Sequence, residues 1–170
     1  MSPAAPPEPP AGATRTTAAA LLTPEAVYAA LIDPRTYPEW LVGCRTIRAV
    51  DDGWPAPGTR FHHRVGLVGP VTVDDNSEVL AAEPPRHLAL EVRFRPFGRG
   101  RVDFWLTTEQ ATPAETGIVP KPRIVPKTRI VMDEAPIGVI APSAPLVAPL
   151  IAARNRTSLN ALVALLNERA

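Results

Sequence analysis

Four residues in this chain, His63, Asp75, Ser77 and Glu134, are of types that can do chemistry together. A histidine near a carboxylate on a dry surface is tuned toward neutral pH, where it can move a proton in an enolisation, an aldol closure or a dehydration. The same letters spell a Ser-His-Asp set. Ser77 stands mid-strand, however, with no strained elbow and no glycine-rich oxyanion loop, so nucleophilic hydrolysis is set aside. His62 and His63 are neighbours on a strand and face opposite ways, so they cannot hold one metal ion jointly. Cys44 and His87 complete a poor zinc set, and neither a metal nor a cofactor is expected. Cys44 reads as a small buried residue.

What brings these side chains to one surface is a period-two pattern. With Gly69-Pro70-Val71 as a hairpin loop, Val68 faces Thr72, Phe61 faces Val79, His63 faces Ser77, Val65 faces Asp75 and Leu67 faces Val73. The opposite face carries Arg60, His62 and Arg64 with Asp74, Asn76 and Glu78, a charge-paired solvent surface. A second hairpin, looped at Pro96 to Gly100, pairs Phe94 with Val102, Val92 with Phe104 and Leu90 with Leu106. Outside it, Arg93 meets Asp103 and Glu91 meets Trp105, which leaves an indole exposed and points either to a partner surface or to a different register there. A tight turn at Pro84-Pro85 sets Val79 beside Leu90 and Asp75 beside Phe94, so the hairpins join into one antiparallel meander with a single apolar face. Glu134 shares the inward parity of Ile130 and Met132.

Helices flank this meander. Thr23-Pro24-Glu25 reads as N-cap, N1 proline and early acid, and Asp33-Pro34 repeats the device ahead of Tyr37 and Trp40, which brace the sheet end or a cavity mouth. Leu159, Leu162, Val163 and Leu166 recur at helical spacing in the last and longest helix. That helix begins either near Ser143, with a kink at Pro149, or at Pro149 itself. Asn155, one turn before Leu159, can offer an amide to whatever lies under it.

Composition bounds the rest. The chain has 170 residues, enough for one core, and its formal net charge of +1 gives no footprint of a nucleic-acid binder. Five of the 22 prolines fall in the first ten residues, and 1–13 reads as a disordered, proline-rich tail without the apolar core of a secretory signal. Ala135 to Ala153 is uncharged, but Pro136, Pro142, Pro145 and Pro149 interrupt it, so no integral membrane segment is expected. From Ile118 the units IVPKPR, IVPKTR and IVMD repeat with a period of six, an even number that leaves the next strand's alternation unchanged. This reads as a lengthened loop at about 112–127.

The segments PEAVYAALIDPRTYPEW, CRTIRAVDDGWPAPGTRFHHRVG, EVLAAEPPRHLALEVRFRP and TRIVMDE, in that order before a long helix, resemble the START-type superfamily that includes the birch pollen allergen. Within it they are most similar to the bacterial polyketide cyclase/dehydrase and lipid-transport group, the SRPBCC proteins. The resemblance spans 14–170, apart from the hexad repeat, as a single domain. It implies an α+β helix-grip fold, a curved antiparallel sheet wrapped around a long C-terminal helix with two short helices after the first strand. It also implies an internal cavity for a hydrophobic small molecule or lipid. The residues that would line that cavity are Trp40, Phe61, His63, Val65, Asp75, Ser77, Leu90, Val92, Phe94, Phe104, Met132, Asn155 and Leu159.

Three functions follow from this. The first is a cytoplasmic, monomeric or weakly dimeric carrier of a hydrophobic ligand, without covalent catalysis. The second is an aromatic polyketide cyclase or dehydratase in which His63, with Asp75 or Glu134, handles protons. The third is an interaction module like the Hsp90-activator branch, which would read its partner through Trp105 and the repeat.

Overall fold

A computed structural model describes residues 5–66, 71–94, 98–109 and 126–169, with the side chain of Phe94 outside the described set. The seven strands are β1 (Thr14–Ala20), β2 (Cys44–Val50), β3 (Arg60–Gly66), β4 (Thr72–Glu83), β5 (His87–Phe94), β6 (Gly98–Glu109) and β7 (Lys127–Ile137). They form one antiparallel sheet in the order β1-β7-β6-β5-β4-β3-β2. Helices α1 (Pro24–Leu31) and α2 (Tyr37–Trp40) follow β1, and α3 (Ala144–Glu168) closes the chain against β1, β7 and α2. This is the helix-grip fold.

Both short helices start as their caps predict. Thr23 Oγ1 accepts the Ala26 amide, and Asp33 Oδ1 accepts the Arg35 amide at 3.2 Å ahead of a 3-10 turn that leads into α2. The Trp40 indole donates to Thr36 Oγ1 at 3.1 Å, the Tyr37 hydroxyl donates to the Leu31 carbonyl at 2.7 Å, and both rings are buried. Of the two possible starts for the last helix, the chain takes the earlier. α3 begins at Ala144 and runs through Pro149.

Both hairpin registers differ from the expected ones. In the first, Phe61 pairs with Ser77, His63 with Asp75 and Val65 with Val73, a shift of two residues. This register sets Arg60 opposite Glu78 and Arg64 opposite Asp74, with ion pairs of 2.6 and 3.0 Å, so the outer face selects it. The expected loop pairs of Val68 and Leu67 lie outside the described residues. In the second hairpin Leu90 pairs with Val102, Val92 with Gly100 and Phe94 with Gly98, a shift of four. Here β6 extends back to Gly98, where φ is +145° and an added Cβ would stand 2.6 Å from Ile140 Cδ1. Only glycine lets the 3-10 segment Gly138–Ser143 pack so closely on that strand. Val79 faces Leu90 as expected. Even-numbered shifts leave every side chain on its expected face.

Trp105 therefore faces His87 rather than Glu91, which pairs with Arg101. The indole stacks on the His87 ring at 3.7 Å between centroids and 8° between planes. His87 in turn meets Asp103 at 2.9 Å, Arg101 clasps Asp103 at 2.7 and 2.9 Å, and Arg15 clasps Asp133 at 2.8 Å through both of its bonds. This polar row crosses β5, β6, β7 and β1 on the outer face. Pro10, Ala11 and Ala13 line a cleft over it, and the Pro7 carbonyl accepts from Arg15 Nη2. The repeat units from Ile118 to Val125 lie outside the described residues.

The inner face is the core: Phe61, Val79, Leu88, Leu90, Phe104, Leu106, Ile130 and Met132 pack with Leu159 and Leu162 of α3. This packing uses only half of the helix. From Ala144 to Ala153 only Ala144 is buried, whereas Asn155, Ser158, Leu159, Leu162, Leu165 and Leu166 are buried beyond it. Leu146 is 84% and Leu150 73% exposed. The N-terminal half of α3 stands off the sheet.

Candidate functional site

Two hollows lie between the sheet and α3. The inner one has a volume of about 80 Å³ and is lined by Trp40, His63, Val65, Ser77, Leu90, Val92, Phe104 and Met132, all anticipated from the pattern. Tyr37, Leu41, Val42, Gly43, Cys44, Arg93, Val102 and Arg154 complete it. The outer one, about 440 Å³, is a groove under the raised half of α3, lined by Glu134, Pro136, Ile140, Ser143, Val147, Leu150, Ile151 and Arg154. Arg154 lines both.

The remaining expected site residues fall elsewhere. Phe61 is a core plug, its ring 4.7 Å from Tyr37, 5.2 Å from Trp54 and 5.1 Å from His63. Leu159 is buried in the same core. Asp75 is buried opposite His63, and its Oδ1 accepts the Asn76 amide at 2.8 Å. Asn155 is fully buried, and its Oδ1 accepts from Arg154 Nε at 3.2 Å and Nη2 at 3.1 Å. The amide thus orients the arginine.

The electrostatics separate the two hollows. Burial lowers the basicity of His63 below the ordinary histidine range, with the Asp75 charge opposing, so the ring is neutral at pH 7; its Nδ1 is buried without a partner. Among the described residues that line the inner hollow with it, none is a carboxylate. Glu134, 1% exposed, belongs to the groove. Arg154 Nη2 donates to its Oε2 at 2.7 Å, and Oε1 is buried without a partner. Burial raises the Glu134 carboxyl above the usual range, and the Arg154 charge and, more weakly, the neighbouring Asn155 amide pull it back. The ion pair stands where the two hollows meet.

Arg154 is a candidate-site residue that sequence reasoning missed. The signal was present: Glu134 and Arg154 are the charges that bracket the uncharged run from Ala135 to Ala153. The chain folds that run back on itself and pairs its two ends.

The description polyketide cyclase/dehydrase and lipid transport matches residues 11–167. The chain belongs to that family. No curated protein matches the sequence. Among solved structures the family member is similar to a protein from Nitrosomonas europaea, at 15% identity and a TM-score of 0.65, with 93% of this chain and 96% of that one covered. It is similar to a START superfamily protein from Mycobacterium smegmatis at 12% identity and a TM-score of 0.63, over 93% and 99% of the two chains. Ara h 8.0201 superposes at 13% identity and a TM-score of 0.60, over 92% and 97%. At such identities the likeness concerns the fold. Among the described residues no helix is long and apolar enough to cross a membrane.

Proposed function

We propose that this family member binds a hydrophobic small molecule or lipid, non-covalently, in the space beneath α3. The observation that carries the reading is the groove. Its volume of about 440 Å³ lies within the range of roughly 300 to 1,000 Å³ usual for small-molecule sites, whereas the inner hollow, at about 80 Å³, falls far below it. Its wall is aliphatic apart from Ser143 and one ion pair, and Ser143 Oγ already donates to the Ile140 carbonyl at 2.7 Å. Few polar groups on an apolar wall fix a ligand's orientation. Proton transfer by His63 with Asp75 or Glu134 is the less supported alternative, because Glu134 lines the other hollow and Asp75, though buried opposite His63, lines neither.

Native mass spectrometry of protein purified gently from its own host tests the reading. A non-covalent adduct that extracts into organic solvent is the expected result. Protein that carries no adduct, and takes none up from a total lipid extract, contradicts it.

A further inference from the structure

Among the side-chain polar atoms of the residues that line the groove, one is buried without any hydrogen-bond partner. Ser143 Oγ is committed to a backbone carbonyl, and the Arg154 guanidinium holds Glu134 Oε2 and Asn155 Oδ1. Glu134 Oε1 is buried and accepts from nothing, although Glu134, 1% exposed, is among the residues that line the groove. The Asn155 amide lies near enough to pull on the carboxyl, but its nitrogen is itself buried without a hydrogen-bond partner. A buried acceptor left open costs free energy comparable to a lost hydrogen bond, and the cost is greater when the group is ionised. The missing partner is a donor that arrives along an aliphatic wall of Ile140, Val147, Leu150 and Ile151.

We propose that the groove takes a mostly apolar alcohol or phenol whose single hydroxyl donates to Glu134 Oε1, leaving the Arg154–Glu134 pair intact. The inference rests on the proposed binding function and names the class of ligand. An ether of the same shape fills the groove but offers no donor. A carboxylate would set a second negative charge against that of Glu134 and would compete with Glu134 for Arg154.

Isothermal titration with 4-hexylphenol, 4-hexylanisole and 4-hexylbenzoate at pH 7.5 separates these cases. The phenol is expected to bind roughly ten- to a hundredfold more tightly than the anisole, the worth of one hydrogen bond to a charged group, with the benzoate weakest. Glu134→Gln should lower the preference for phenol. The double variant Glu134→Met with Arg154→Met, which removes both charges together, should abolish the preference while the anisole still binds. Equal binding of phenol and anisole to the native protein overturns the hydroxyl inference but leaves apolar binding standing. Tighter binding of the benzoate overturns it in favour of anion capture by Arg154. A preference for phenol that survives the double variant places the hydroxyl elsewhere and also overturns it. If neither phenol nor anisole binds, the proposed function itself fails at this groove.

Discussion

Arg154→Met should cost about 3–5 kcal/mol of stability at pH 8, because it leaves the buried Glu134 carboxylate without its compensating charge. The loss should narrow as the pH falls. Burial already raises the Glu134 carboxyl, and removing Arg154 removes the main charge that pulls it back. A group whose folded pKa lies above its unfolded value contributes stability that is fully present below the unfolded value and lost as pH rises through the folded one. For Glu134 the window therefore opens near the ordinary glutamate pKa of about 4.3 and extends upward. Asp103 runs the other way. Burial pushes its carboxyl up, but the Arg101 and His87 hydrogen bonds together outweigh this and hold it below the usual range. Its contribution is present above the unfolded aspartate value and lost in acid, equally in both proteins. Urea unfolding of native and variant protein at pH 5 and pH 8 isolates Glu134 as a difference. A loss of the same size at both values would show that Glu134 is not a buried charge dependent on Arg154.

Phe104→Ala should cost about 3–5 kcal/mol, through lost transfer free energy and the cavity left behind. The ring is 2% exposed, lies edge-on to Trp40 at 6.3 Å between centroids, and pairs across the sheet with Leu88 and Met132. Because Phe104 also walls the inner hollow, its removal should enlarge an apolar space enough to admit a benzene-sized guest. Saturating benzene should then raise the melting temperature of the variant but not that of the native protein. A loss below about 1 kcal/mol, or no response to benzene, would mean that the site collapses instead of opening.

The faces of this sheet were legible in the sequence and its registers were not, for one physical reason. Side-chain direction along a strand has period two, so His63, Ser77 and Glu134 keep their inward parity whatever even shift the loops impose. The shift of two goes with the Arg60–Glu78 and Arg64–Asp74 pairs of the outer face, and in the shift of four β6 starts at Gly98, inside the stretch assigned to a turn, where Ile140 closes over a residue without a Cβ. The Trp105–His87 stack follows from that shift, since parity put the indole outside but could not say against what. Arg154 was missed for a different reason. A lone arginine on an amphipathic helix has the pattern of a solvated residue, and only the fold-back of the uncharged run brings it to Glu134.

If an apolar ligand sits in the groove beneath the raised half of α3, filling that groove should displace it. Ile151 lines the groove and is only partly buried, so Ile151→Trp adds bulk where there is space for it. Titration of 4-hexylanisole into native and Ile151→Trp protein of matched melting temperature should show affinity falling by about tenfold or more in the variant, the loss of roughly 1.4 kcal/mol or more of binding free energy. Unchanged affinity would place the ligand elsewhere and contradict binding in the groove.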